Sequence, residues 1–175
     1  MDILINSLFE HVTASANRPV DRVLWISHDG HKLVVIDMSA EDALPRTVER
    51  SEVEAGIDSG DLKVLDNDPY STLEILPAEI KTKHIACRDK ARQLITPIVE
   101  LPGDGTFIPG ERGPVLSKIS EETGTSKRML YLFLRRYWRG GQRWNSLLPR
   151  YYNCGAPGKK RRAGETKLGR PRKLV

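Results

Sequence analysis

The sequence predicts an α+β fold: a small N-terminal antiparallel β-domain over residues 1–76, a three-helix helix-turn-helix domain over 77–141, and an extended basic arm over 142–175. Three observations carry this. Short apolar runs punctuated by turn residues fill the first part of the chain. After Pro77 the apolar residues recur at helical spacing instead. Charge is also split along the chain: residues 126–175 contain 15 Lys/Arg and one acid, Glu165, whereas residues 1–125 contain 13 Lys/Arg and 22 Asp/Glu. The net charge of +5 conceals this asymmetry.

Residues 3–12, ILINSLFEHV, have the apolar and β-branched content of an opening strand. Residues 23–26 and 33–38 are two further apolar runs, separated by SHDGHK. Asp29-Gly30 inside that spacer is a hairpin signal, because a type I′ turn needs positive φ at both central residues. Residues 47–58, TVERSEVEAGID, read as a short helix with Val48, Val53 and Ile57 on one side, ended by Ser59-Gly60. Residues 62–65 return as a strand, DNDPY at 66–70 turns the chain, and STLEIL at 71–76 reads as the last strand.

From 79 to 100, Ile80, Ile85, Ala91, Leu94, Ile95 and Ile98 are the candidate buried positions of a helix that Pro97 kinks or shortens. PGDGTFIPGERGP at 102–114 reads as a Pro/Gly-rich loop. GPVLSKISEETGTSKRMLYLFLRRYWRGG at 113–141 then gives a helix, a tight turn at Gly124 and a second helix from Lys127, with Ser126 as its cap. Leu130, Phe133, Leu134 and Trp138 fall at i, i+3, i+4 and i+8, an apolar stripe that faces Leu116, Ile119 and the preceding helix. The polar face carries Lys127, Arg128, Tyr131 and Arg135, with Arg136 and Arg139 beside it. A helix-turn-helix lays its second helix in the DNA major groove with that helix's first residues at the base edges. The candidate DNA contacts are therefore Ser126, Lys127, Arg128, Tyr131, Arg135, Arg136, Arg139 and Arg143, with Lys127, Arg128 and Tyr131 placed for base readout. The competing reading is a core helix pair with a solvated cationic face.

The arm that follows weighs against that alternative. QRWNSLLPRYYNCGAPGKKRRAGETKLGRPRKLV holds four glycines and three prolines among many cations and lacks the apolar density to fold alone. Basic arms of this kind follow phosphates and enter the minor groove. Asn153, the run Lys159, Lys160, Arg161 and Arg162, and Gly169-Arg170-Pro171-Arg172 complete the candidate contacts. The last four resemble the core of an AT-hook, which lies in the narrow groove of A·T-rich DNA.

The residues Leu134-Arg135-Arg136-Tyr137-Trp138, Gly141-Gln142, Asn145, Leu148-Pro149, Tyr152-Asn153, Gly155-Ala156-Pro157-Gly158 and Lys167-Leu168-Gly169-Arg170 resemble the N-terminal region of TnsB-type transposases, members of the Mu-like D-D-E transposase/integrase superfamily. DNDPY at 66–70 is similar to the same region, and Arg143-Trp144 departs from it where a Thr-Pro-like pair is expected. The resemblance implies sequence-specific binding of double-stranded DNA at transposon ends, together with other transposition proteins of the same element and self-assembly on DNA. It also implies a later RNase H-like catalytic domain holding three carboxylates and Mg2+, of which this chain is read as the preceding part, placed in a bacterial cytoplasm on the nucleoid.

The remaining chemistry is sparse. His28 and His31 flank the hairpin turn without a third ligand, and Asp66 and Asp68 lack the glycine and closing glutamate of a calcium loop. No nucleophile–base arrangement or phosphate loop appears, so this segment is read as non-enzymatic and without a cofactor of its own. Cys87 and Cys154 show no metal-ligand spacing and are read as free thiols. No run approaches about 18 apolar residues, so no membrane partner is expected. Two other function classes fit the residues: a helix-turn-helix transcriptional regulator with an N-terminal β-domain, and an interaction module whose basic tail binds polyanions without sequence preference.

Overall fold

The computed structural model of the chain describes residues 2–12, 18–68 and 80–149. The expected strand at 71–76 and the arm beyond 149 lie outside these residues. Five strands, β1 (Leu8–His11), β2 (Val20–Ile26), β3 (Lys32–Asp37), β4 (Arg46–Glu49) and β5 (Leu62–Leu65), form an antiparallel sheet in the order β4-β3-β2-β1-β5. Helix α1 (Arg50–Ser59) connects β4 to β5. Three helices follow, α2 (Thr82–Val99), α3 (Pro109–Thr123) and α4 (Lys127–Arg139), and then a 3-10 turn at Trp144–Leu147. This is the expected α+β architecture.

The sheet buries both of its faces. Alternate residues of β3 point to opposite sides: Leu33 and Val35 join Ile3, Phe9, Val23 and Val53 under α1, whereas Val34 and Ile36 join Leu24 and the helices. That is why 33–36 reads as an unbroken apolar run rather than an alternating one. The second cluster runs without a break into Ile95, Ile98, Leu116, Leu130, Leu134 and Trp138, so the sheet forms one wall of the core that holds the helices.

Four local expectations are corrected. The opening strand is shorter than 3–12, because Asn6 adopts a φ of 73° and the Ser7 N–H turns back to the Leu4 carbonyl, so the regular strand starts at Leu8. The helix expected from 47 begins at Arg50. Residues 46–49 are instead strand β4, with Val48 opposite Leu33, since β-branched Thr47 and Val48 gain an edge pairing that a first helical turn does not offer. The β2–β3 connection is not a type I′ turn: among the described residues there only Gly30 has positive φ, 75°. A wider loop forms, in which the Ser27 hydroxyl accepts from Lys32 N–H and the Asp29 carboxylate accepts from the His31 N–H and the Ser27 hydroxyl, holding that carboxyl below its usual range. The segment 102–114 is a loop only as far as Ile108. Pro109 takes the first helical position of α3, where a missing N–H costs nothing, and the helix carries Pro114 within it. Pro97 lies two residues from the end of α2, which it shortens rather than breaks.

Candidate nucleic-acid interface

Helix α4 is set up by the turn before it. Gly124 closes α3 in the left-handed conformation with φ 67°, a position that penalises a Cβ. Ser126 then caps α4, its hydroxyl accepting from the Met129 N–H at 3.3 Å, as the sequence predicts. Leu130, Leu134, Tyr137 and Trp138 are the buried positions of α4. Phe133, expected in that stripe, is only half-buried, and Tyr137 takes the place given to it. The Tyr137 ring lies 4.6 Å from that of Trp144, and burial pushes its hydroxyl pKa up against the opposing charge of Arg92.

The expected DNA contacts divide into two groups along α4. At its start Ser126, Lys127 and Arg128 are exposed, and Met129 and Leu132 are exposed with them. Tyr131 is half-buried, with the guanidinium groups of Arg112 and Arg135 at 5.8 and 5.7 Å from its ring. Arg128, Leu132, Arg135, Arg136 and Arg139 line one open cleft of about 390 Å³, whose other wall is Glu41 and Asp42 of the β3–β4 loop. The cationic face of α4 therefore has an acidic border on one side.

At the other end the cations turn back onto the sheet. Arg139 donates through Nη2 to the Met38 carbonyl, and Arg143 Nη1 lies 3.8 Å from Asp68 Oδ2. Asp68 is held mainly by Arg22, fully buried, in a two-pronged pair at 2.6 and 3.1 Å. Arg22 Nη1 also reaches Asn6 Oδ1, and Asn6 Nδ2 donates to the Gly141 carbonyl. Gln142 Nε2 donates to the Leu24 carbonyl at 2.7 Å. Leu24 stands at the register shift between Val23 and Trp25, where a bulge takes it out of the strand ladder and leaves its carbonyl for a partner outside the sheet.

Several of these groups were not singled out in the sequence. Arg22 and Arg112 carried no signal there, since a buried arginine is recognisable only through its partners. Arg112 lies under α4 between the Tyr131 and Trp138 rings and donates Nη1 to the Phe107 carbonyl at 2.5 Å. Asp68, read as a turn residue, is an ion-pair partner. Arg143-Trp144, the departure from the family pattern, occupies the cap and first position of the 3-10 turn, the two places that a Thr-Pro pair suits. Trp144 uses its ring on Tyr137 and on the Arg92 guanidinium, 4.7 Å away. Asn153, Lys159, Lys160, Arg161, Arg162, Gly169, Arg170, Pro171 and Arg172 lie outside the described residues. Among the described residues no three His, Cys, Asp or Glu side chains group as a metal site, Cys87 is an exposed free thiol, and no helix is long and apolar enough to cross a membrane.

Comparison with known proteins places this arrangement in a family. The TnsB N-terminal SH3-like domain matches residues 2–69, the sheet and α1, and the TnsB second domain matches residues 88–151, the helices. The chain is also similar to the transposon Tn7 transposition protein TnsB of Escherichia coli, with 29% identity over 162 residues, 87% of this chain. It spans 23% of the length of that relative. With its sheet, its helix-turn-helix and the cationic face of α4 each inside a matched domain, the chain belongs to the TnsB family, as its N-terminal DNA-binding part.

Proposed function

We propose that this chain binds double-stranded DNA sequence-specifically at the ends of a transposon, as the end-recognition region of a D-D-E transposase. The observation that carries the reading is the start of α4: a Ser126-capped helix presenting Lys127 and Arg128 to solvent, with Arg135 and Arg136 further along the same side. A major groove admits one helix, and arginine pairs in two-pronged fashion with guanine O6 and N7. The basic arm with Lys159–162 and Gly169-Arg170-Pro171-Arg172 adds phosphate and minor-groove contacts beside that site. The segment itself is not catalytic and takes no cofactor. Its partners are the repeated end sequences, other copies of the protein assembled on them, and the other transposition proteins of the same element.

Footprinting on the DNA that flanks the parent gene tests this. The expected result is several protected sites of related sequence near the element's ends. One palindromic site upstream of a promoter would favour a transcriptional regulator, and protection without sequence preference would favour a polyanion-binding module.

A further inference from the structure

We propose that Leu132 is a specificity-determining residue that reads the 5-methyl group of thymine on the floor of the major groove; this rests on α4 being the recognition helix. Leu132 is 37% exposed on the side of α4 away from the core, and Met129, one turn earlier, is 42% exposed. Neither joins a hydrophobic cluster of the fold. Leu132 stands in the cleft whose α4 side is Arg128, Arg135, Arg136 and Arg139 and whose far wall is Glu41 and Asp42, an apolar side chain among charged ones on a helix otherwise buried only along its opposite stripe.

That surrounding selects the occupant. An apolar partner helix or a lipid tail would desolvate the exposed Arg128 and the carboxylates across the cleft, a cost that its own apolar surface does not offset. A major groove matches both kinds of group at once. Its walls are phosphates and its guanine edges are acceptors, which suit the arginines, and the apolar group projecting from its floor is the C5-methyl of thymine. Leu132 lies one turn past Arg128, so the methyl it meets belongs to a base pair next to the one Arg128 contacts. The site recognised therefore carries a thymine beside a guanine, and the discrimination of thymine from cytosine there comes from an apolar contact.

The experiment uses the full chain and duplexes selected by it from a random pool, then remade with single thymine-to-uracil replacements, which remove the methyl and leave base pairing intact. Wild-type affinity is expected to fall about fourfold at one or two thymines, the effect of exposing one methyl-sized group. L132A should bind the thymine duplex about that much more weakly, with no further loss on uracil, and with an unchanged thermal midpoint because the side chain is outside the core. Wild type indifferent to uracil at every position, or L132A retaining the full uracil penalty, overturns the inference while leaving sequence-specific binding intact. A chain that selects no sequence from the pool contradicts the DNA-end reading itself, and this inference with it.

Discussion

The first two turns of α4 and the segment from Arg139 to Arg143 carry the same residue types in opposite surroundings. Lys127 and Arg128 are exposed to solvent, Arg128 at the mouth of the cleft it shares with Glu41 and Asp42. Twelve residues after Lys127, Arg139 meets the Met38 carbonyl at the end of β3, Gln142 meets the Leu24 carbonyl freed by the β2 bulge, and Arg143 approaches Asp68. The difference shows that the surroundings of a cation on or just after α4 are set by what the neighbouring sheet offers within reach. The start of α4 is left exposed, as the proposed reading of DNA requires, and its end locks the helix onto the sheet. Rigid attachment matters for recognition, because base contacts discriminate only when the helix that makes them is held in one geometry.

The largest effects are expected where the two regions share the core. Trp138 is fully buried, 6.0 Å from the Phe107 ring and under Arg112. Trp138→Ala should cost about 3–5 kcal/mol of stability in chemical denaturation, whereas Phe133→Ala, at a half-buried site, should cost about 1–2 kcal/mol. Equal losses would put Phe133 back into the core stripe.

Next comes the joint that brings the 3-10 turn against α4. A Cβ at Gly140 would lie 2.3 Å from Ser146 Cβ and 2.9 Å from the Arg136 carbonyl oxygen. Gly140 has an ordinary φ of −80°, so its role is close approach and not backbone freedom. Gly140→Ala should destabilise the protein by about 1–3 kcal/mol, the cost of overpacking a tight contact. An unchanged thermal midpoint would mean that the turn is not seated there.

The smallest effect should come from the acidic border of the cleft. Removing both charges with Glu41→Gln and Asp42→Asn should strengthen binding to random duplex by a factor of about two to five at low salt, and by nothing measurable near 1 M, where screening acts within about 3 Å. A gain that persists at high salt would place these side chains in direct contact with bases.

Much of this was readable beforehand. The Ser126 cap, the Gly124 turn and the stripe at Leu130, Leu134 and Trp138 follow from local chemistry, and the structure has them in place. Strand β4 was not readable, because Val48, Val53 and Ile57 satisfy helical spacing whether or not Val48 belongs to the helix; the partner that decides it, Leu33, is fifteen residues away in sequence. The start of α3 was hidden by composition: Pro109, Gly110, Gly113 and Pro114 read as loop, although a proline at the first helical position favours a helix. The division of the arginines was least legible. Nothing in LRRYWRGGQR marks Arg139 as a contact to the sheet, since the carbonyl that claims it belongs to Met38, 101 residues earlier.

That division is tested most directly by measuring thermal stability and DNA affinity on Arg128→Ala and Arg139→Ala side by side, with a selected duplex and a random one. Arg128→Ala should keep its thermal midpoint and lose about 1–3 kcal/mol of binding on the selected duplex, with a much smaller loss on the random one. Arg139→Ala should lose about 1–2 kcal/mol of stability, from a charged donor taken off a carbonyl at a half-buried site, and weaken both duplexes alike. The opposite pattern, with Arg139→Ala stable but blind to sequence and Arg128→Ala unstable or without effect on selection, would contradict the assignment of the two ends of α4.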